Sequence, residues 1–204
     1  MDKIDIKKDL KFLYAPTTKS VSVVDVPPLL YLMIDGEGNP NTSPAYAAAV
    51  EALYAVAYAI KFRIKKSEAG IDYVVMPLEG LWWAEDMSQF SVARKDDWKW
   101  TMMILQPDRV TDTLVVEVME EVQKKKSLPA LPNIRLETYH EGQSAQLMHI
   151  GPYAAEAPNI TKIHAHIHEN GYQLRGKHHE IYLSDPRKCA PETMKTVIRQ
   201  PFFA

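Results

Sequence analysis

Two short stretches of the chain are near-copies of each other: residues 32–36 read LMIDG and residues 147–151 read LMHIG. A second pair of similar stretches follows them, ILQP at 104–107 and VIRQP at 197–201. Within each copy the sequence predicts the same order of elements, namely strand, helix, strand and strand. We therefore predict an α+β fold of two pseudo-symmetric strand-helix-strand-strand modules, with antiparallel sheets around a central ligand cleft.

The repeat also sets the predicted bounds of the modules. Module one covers about 22–107 and module two about 143–204, and a helix and a strand at about 108–141 connect them. Because no Pro-, Gly- or Ser-rich linker separates the modules, residues 1–204 are predicted to form one domain.

The first long helix is marked at its start and along one face. Ser43 has the place of an N-cap, and Pro44 suits the first helical position. Apolar residues then follow at spacings of three and four, which predicts a packed face. These residues are Val50, Leu53, Ala57, Ile60 and Ile64.

Composition excludes several classes of protein. The chain has 204 residues, 46% of them apolar and 25% charged, which is ordinary for a soluble globular protein. The net charge of −2 gives no basic footprint for nucleic acid. One cysteine, Cys189, fits a reducing compartment, and no signal peptide or long apolar run is evident. We expect a cytoplasmic protein that binds neither nucleic acid nor membranes.

Glu180 lies in HHEIYLSDP, a stretch with the pattern of a strand. Alternation places His178, Glu180 and Tyr182 on one face and Ile181 on the other. If Ile181 packs under a helix, Glu180 looks toward the opposite face, where the cleft would lie. Glu180 is then either a residue on a solvated sheet face or a charge set into a binding site.

Glu156 lies in GPYAAEAP, at a predicted turn from a strand into a helix. An acidic residue in the first turn of a helix complements the helix dipole, which explains Glu156 without any function. The other interpretation is a second carboxylate in the ligand site.

Aromatic residues are unevenly distributed along the sequence. All four tryptophans fall between residues 82 and 100, with the first two in a predicted long connection at 81–97. A pocket lined by flat aromatic rings with a few carboxylates suits a planar apolar ligand. The candidate ligand-binding residues are Trp82, Trp83, Trp98, Trp100, Tyr139, Tyr153 and Tyr182.

Neither a metal site nor a nucleophilic serine or cysteine is predicted. In HAHIH only His164 and His168 share a helix face, and no acidic third ligand has suitable spacing. The sequence also lacks a phosphate-binding loop, a dinucleotide fingerprint and a nucleophile elbow. We expect no cofactor, so any catalysis would depend on carboxylates and water.

Several stretches resemble the GyrI-like small-molecule-binding proteins. Residues 149–202, which include HEIYLSDPR, resemble the C-terminal half of that family. Three further stretches resemble the N-terminal half of the family's stand-alone bacterial members, namely DGEGNPNTSPAYAAAVEALYAVAYAIK, MPLEGLWW and WKWTMMILQP. The resemblance covers nearly the whole chain and implies a pair of strand-helix-strand-strand modules around a ligand cleft.

The resemblance also implies a function and its residues. Glu180 corresponds to the family's ligand-contacting glutamate, and some stand-alone members are implicated in hydrolysing cyclopropane-bearing, DNA-alkylating compounds of the yatakemycin and duocarmycin type. Glu156 and Glu180 match the two glutamates that direct water onto the strained ring. Because a glutamate in an aromatic pocket is desolvated, we expect its pKa to be raised, which makes it a stronger base near neutral pH. Other members carry a DNA-binding domain, but nothing before Asp25 would hold a helix-turn-helix, so we do not expect a transcription factor.

Three functions follow as alternatives. The first is a detoxifying hydrolase, the second is a protein that binds and sequesters drugs or metabolites, and the third is a protein-binding module of the gyrase-inhibitor kind. The third would need an exposed acidic or apolar patch, which the sequence does not show clearly.

Overall fold

We describe the fold from a computed structural model, which covers residues 3–68, 70–87 and 92–204. The chain forms two compact units. Unit 1 comprises Met1–Asp9, Leu29–Met76 and Trp83–Tyr139. Unit 2 comprises Leu10–Pro28, Pro77–Trp82 and His140–Ala204.

The described residues form five α-helices and eleven strands. The helices are α1 Ile6–Asp9, α2 Lys11–Tyr14, α3 Pro44–Lys66, α4 Asp112–Lys125 and α5 Ala157–Glu169. The first six strands are β1 Lys3–Ile4, β2 Ser22–Val26, β3 Leu29–Glu37, β4 Asp72–Tyr73, β5 Leu78–Trp83 and β6 Lys99–Leu105. The others are β7 Arg135–Tyr139, β8 Gly142–Ile150, β9 Gln173–Leu174, β10 His178–Tyr182 and β11 Lys195–Phe203.

Unit 1 is an antiparallel sheet with a long helix on it. Its strands lie in the order β6-β3-β7, while β1 and β4 form a separate parallel pair. Helix α3 begins where the sequence predicts, with Ser43 as N-cap and Pro44 in the first turn. Because Leu53, Ala57 and Ile60 are fully buried, the predicted packing face is confirmed.

Helix α3 is also the one described helix long and apolar enough to cross a membrane by length and composition. Seven of its residues are buried in the protein, which is the pattern of a core helix. Its apolar character is therefore explained by packing in unit 1.

Unit 2 is a five-stranded antiparallel sheet with α5 on one face. The strands lie in the order β2-β8-β11-β10-β5, and β9 pairs with the end of β11. The α5 face holds a buried apolar cluster in which Ile163 and Ile167 of the helix meet side chains of β8 and β11. The strand members of this cluster are Ala145, Leu147, Ile198 and Phe202.

The internal repeat is visible in the strand registers. In unit 1, Leu32 lies opposite Ile104, and in unit 2, Leu147 lies opposite Ile198. These four residues hold equivalent places in the two pairs of repeated letters. The chain order β3-α3-β5-β6 recurs as β8-α5-β10-β11 among the long elements, and the predicted α+β fold is confirmed.

One predicted element was wrong. The sequence analysis placed Trp82 and Trp83 in a long connection, but both belong to strand β5. Five of the six β5 residues are buried, so the strand lacks the alternation that marks a half-exposed strand. Residues 88–91 of the predicted connection lie outside the described residues.

Candidate active site

Strand β10 presents Glu180 to the face that α5 covers. Glu180 lies directly opposite Ile198 of β11, and directly opposite residues in antiparallel strands share a face. Ile198 packs in the α5 cluster, whereas Ile181 pairs with Val197 on the reverse face. The predicted alternation is correct, but the prediction that Ile181 packs under the helix was wrong.

Both oxygens of the Glu180 carboxylate accept hydrogen bonds. Nε2 of His178 lies 3.1 Å from one oxygen, and the hydroxyl of Tyr182 donates to the other at 2.7 Å. Nε1 of Trp82 donates to the Tyr182 oxygen at 3.0 Å. The Glu180 side chain is 14% exposed, so these donors replace most of its contact with water. On the β5 side, Gly80 lies directly opposite and contributes no side chain.

The donors around Glu180 set the direction of its pKa. Burial alone would raise the pKa of Glu180, but the hydrogen bond and charge of His178, with hydrogen bonds from Tyr182 and Glu156, lower it overall. The opposite direction was expected from the sequence, because desolvation in an aromatic pocket raises the pKa of a carboxyl. That expectation was wrong because three donors converge on this side chain.

Glu156 is brought to Glu180 by a turn. It is the N-cap of α5, is 4% exposed, and hydrogen-bonds to Glu180. Two carboxyls in such contact share a proton, since two neighbouring anions repel. Because His178 and Tyr182 already donate to Glu180, the negative charge is favoured there and the proton on Glu156.

A buried histidine holds the turn that carries Glu156. Nε2 of His149 donates to the carbonyl of Pro152 at 3.2 Å, and its Nδ1 accepts from the Asn159 amide at 3.0 Å. These bonds join the end of β8 to the first turn of α5. Gly151, with a φ of 140°, makes the bend beside the His149 ring.

Tyr153 lies beside Tyr182 in unit 2. Its ring meets that of Tyr182 edge-on, with centroids 5.5 Å apart. Burial, together with the nearby carboxyls Glu156 and Glu180, raises the pKa of Tyr153 to about 12. The phenol is therefore a neutral hydrogen-bonding group across the physiological pH range.

The structure brings together five of the nine residues that the sequence proposed for the site. Glu156, Glu180, Trp82, Tyr153 and Tyr182 lie within unit 2 and contact one another through the interactions above.

The other four predicted site residues belong to unit 1, where their role in ligand binding stays a prediction. Trp83 is partly exposed, Trp98 is 8% exposed and Tyr139 lies on β7. Trp100 is 1% exposed, and its ring packs over Gly36 and edge-on against Tyr46.

The reverse face of the same strand carries a buried ionic network that the sequence analysis missed. His179 lies between two carboxylates, with Nδ1 3.0 Å from Glu141 and Nε2 3.1 Å from Glu79. Arg199 donates to Glu141 at 3.1 Å, and the Tyr14 hydroxyl donates to Glu79 at 2.6 Å. The four charged side chains are at most 1% exposed, and their charges balance.

The network fixes the N-terminal segment of unit 2. Arg199 donates to the Leu13 carbonyl at 2.8 Å, and Gln146 donates to the Phe12 carbonyl at 2.7 Å. Burial opposes the charged form of His179, but the two carboxylates raise its pKa to about 9. The network residues come from five separate segments, so no local pattern in the sequence predicts that they meet. The one available indication is that His179, next to Glu180 in a strand, must face the opposite side of the sheet.

Among the described residues, no group of three or more His, Cys, Asp or Glu side chains is arranged to hold a metal ion. His164 is half-buried on α5. Burial and the charge of His178 lower the pKa of His164, and a hydrogen bond with Gln200 raises it by less, so the pKa is lowered overall.

The chain is a two-unit α+β protein with carboxyls beside aromatic rings, and comparison with known proteins defines its class. The model of the GyrI-like small molecule binding domain family matches residues 19–202. This chain therefore belongs to the GyrI-like family of small-molecule-binding domains. None of the curated proteins matches it significantly.

Three solved structures from Listeria innocua are similar over the whole chain. An uncharacterized conserved protein is 40% identical with a TM-score of 0.91, covering 98% of this chain and 100% of its own. A protein described as a hydrolase is 39% identical with a TM-score of 0.89, covering 99% and 100%. A further hydrolase is 37% identical with a TM-score of 0.86, covering 98% and 100%.

Proposed function

We propose that this protein is a cytoplasmic hydrolase that opens cyclopropane rings in planar, DNA-alkylating natural products of the yatakemycin and duocarmycin type. The observation that carries the proposal is the pair of buried carboxyls, Glu156 and Glu180, joined by a hydrogen bond beside the rings of Tyr153 and Tyr182. Two similar Listeria innocua proteins are described as hydrolases, which supports the reaction class.

The two carboxyls have complementary tasks in this reaction. Glu180 accepts a proton from water as the water oxygen bonds to the cyclopropane CH₂ group. The C–C bond of the ring breaks, and its electron pair moves through the conjugated dienone to the carbonyl oxygen. As Glu180 takes the proton from water, its hydrogen bond from Glu156 opens, and Glu156 donates its proton to that oxygen, which becomes a phenol. The net change is addition of one water molecule.

The hydrogen bond between the carboxyls then resets the site. Glu180 now holds the proton that it took from water, and Glu156 is ionised. When the product leaves, the hydrogen bond re-forms with Glu180 as donor, and transfer of the proton to Glu156 restores the starting state without exchange with solvent. A carboxylate with a lowered pKa is a modest base, and a strained, conjugated ring is electrophilic enough to need no stronger one.

The aromatic residues provide affinity and orientation in this scheme. Tyr153 is 40% exposed, so part of its ring is open to a ligand. Trp82 and Tyr182 orient Glu180 through the hydrogen bonds from Trp82 to Tyr182 and from Tyr182 to Glu180. Stacking of a flat ligand on such rings contributes binding free energy beyond simple burial.

The alternative is a binding protein that sequesters its ligand without turnover. The observation that favours it is the set of donors around Glu180, because a carboxylate held as an anion by several donors also suits a purely electrostatic contact. In that case the aromatic rings would supply stacking and cation–π contacts to a bound drug.

Incubation of the purified protein with a duocarmycin-type alkylator separates these functions. A hydrolase yields the ring-opened, water-added product by mass spectrometry, faster than the buffer reaction. Glu180→Gln should lower kcat by about 10²–10⁴-fold, the usual contribution of a general base, with a smaller change in the dissociation constant. Glu156→Gln should also slow turnover, because it removes the proton donor.

Glu169→Gln is the matched control. Glu169 is exposed at the C-terminal end of α5, the helix whose N-cap is Glu156. It should leave turnover and binding unchanged. No product above background, or equal losses of binding and turnover in Glu180→Gln, would favour sequestration over hydrolysis.

A further inference from the structure

Thr196 of β11 has a buried hydroxyl that the fold itself does not satisfy. The residue is fully buried, and within the described part of the chain its Oγ1 has no hydrogen-bond partner. It lies directly opposite Tyr182 on one side and His149 on the other. A buried hydroxyl without a partner is unfavourable, so its presence needs a reason.

The two flanking polar side chains are already committed elsewhere. Both ring nitrogens of His149 bond to Pro152 and Asn159. The Tyr182 hydroxyl accepts from Trp82 and donates to Glu180. Neither neighbour therefore serves the Thr196 hydroxyl.

The internal repeat shows that this position can be apolar. Two residues beyond the matched leucine–isoleucine pairs, on the same face, unit 1 places Ile34 opposite Met102. At the equivalent position unit 2 places His149 opposite Thr196. Ile34 and Met102 are at most 1% exposed. The same place in the twin register is filled by hydrocarbon, so packing does not explain a hydroxyl at Thr196.

We propose that the Thr196 hydroxyl holds the water molecule that attacks the substrate. Thr196 and Glu180 lie on the same face of adjacent strands, as diagonal neighbours across β10 and β11. Such neighbours have Cα atoms about 7–8 Å apart, and their side chains shorten the gap between polar atoms to a span that one water molecule can bridge through two hydrogen bonds of about 2.8 Å. A buried water requires at least two polar partners, which these two side chains supply.

The arrangement orients the water for the reaction described above, and to that extent it rests on the proposed hydrolase function. Thr196 donates its hydroxyl proton to one lone pair of the water, and the water donates one proton to Glu180. The second lone pair is then free to bond to the cyclopropane carbon, and the proton that leaves is already hydrogen-bonded to Glu180. Thr196 is thus a positioning residue, and its own proton stays in place.

A matched pair of substitutions tests this role. Thr196→Val keeps the shape and removes the hydroxyl, whereas Thr196→Ser keeps the hydroxyl and removes a methyl group. With a duocarmycin-type alkylator, Thr196→Val should lower kcat by about 10–100-fold, as expected for a misplaced reactant, with an unchanged dissociation constant. Thr196→Ser should retain most of the turnover. The melting temperature of Thr196→Val should equal or exceed that of the parent.

A high-resolution crystal structure provides a readout that does not depend on turnover. The parent protein should show a water within about 3 Å of Thr196 Oγ1 and hydrogen-bonded to a carboxyl, and Thr196→Val should lack it. Absence of that water in the parent protein would overturn the water site. If the water is present but Thr196→Val turns over normally, its role as nucleophile is overturned. If the parent has the water and no turnover, the hydrolase proposal fails while the water site stands.

Discussion

Removal of one charge from the network around His179 should destabilise the protein strongly. Glu141→Gln leaves two cations, His179 and Arg199, against the single carboxylate Glu79, all within a region at most 1% exposed. Breaking a buried ion pair by removal of one partner costs about 3–5 kcal/mol. The lowered pKa of Glu141 gives a similar free energy for the interaction of its charge. Burial would raise this pKa, but His179 and Arg199 lower it from 4.5 to about 2, which corresponds to about 3 kcal/mol.

The pKa values also predict how stability depends on pH. Glu141 has a lowered pKa in the folded state, so its contribution is present above pH 4.5 and is lost as the pH falls toward 2. His179 has a raised pKa, so its contribution is complete below pH 6.5 and is lost as the pH rises through about 9. The free energy of unfolding should therefore be greatest between pH 4.5 and 6.5.

Urea denaturation of single and double variants measures these effects. Arg199→Met should also be costly, but the double variant Glu141→Gln/Arg199→Met restores charge balance and should cost clearly less than the sum of the two. The exposed pair Arg63 and Glu117 is the control, with an expected effect below about 1 kcal/mol. This account would be refuted if each network substitution lowered the free energy of unfolding by less than about 1 kcal/mol and the two losses were additive. It would also be refuted if Glu141→Gln left the loss of stability at low pH unchanged.

Three further predictions concern packing and the donors to Glu180. Gly36→Ala should destabilise unit 1 by about 1–3 kcal/mol, because an added Cβ would lie 2.1 Å from the Trp100 ring; an unchanged urea midpoint would contradict this packing. Ile163→Ala should cost about 2–5 kcal/mol by leaving a cavity under α5, whereas the exposed Val116→Ala should cost little; comparable losses in thermal unfolding would argue against the buried cluster. Trp82→Phe removes the donor to Tyr182 and should raise the pKa of Glu180 in a carbon-13 NMR titration; a lower value would contradict the donor chain.

The sequence predicted the features that depend on local pattern. The repeated letters at 32–36 and 147–151 gave the order of elements, and Ser43 with Pro44 gave the start of α3. The alternation of β10 was also correct, since parity along a strand requires no knowledge of its neighbours.

The features that the sequence did not predict depend on which strands pair. The face of Glu180 follows from its register with Ile198, and that register joins residues separated by a helical turn and a loop. The network around His179 collects side chains from distant segments, so no spacing in the sequence reveals it. The second half of strand β5, with Trp82 and Trp83, was missed because the strand is buried nearly throughout and its tryptophans resemble those of a binding loop.

The prediction that the pKa of Glu180 is raised was wrong for a related reason. Burial can be inferred from an apolar sequence context, but the donors His178, Tyr182 and Glu156 become visible only once the strand and the turn before α5 are placed. Where several donors meet one carboxylate, their effect outweighs that of burial.

The most direct test is a carbon-13 NMR titration of the glutamate carboxyls in protein labelled at those carbons. The account predicts that at neutral pH the Glu156 carboxyl is protonated and the Glu180 carboxyl is ionised. The signal of the protonated carboxyl should then vanish in Glu156→Gln and survive in Glu169→Gln. Two ionised carboxyls at neutral pH, or a protonated signal that persists in Glu156→Gln, would contradict it.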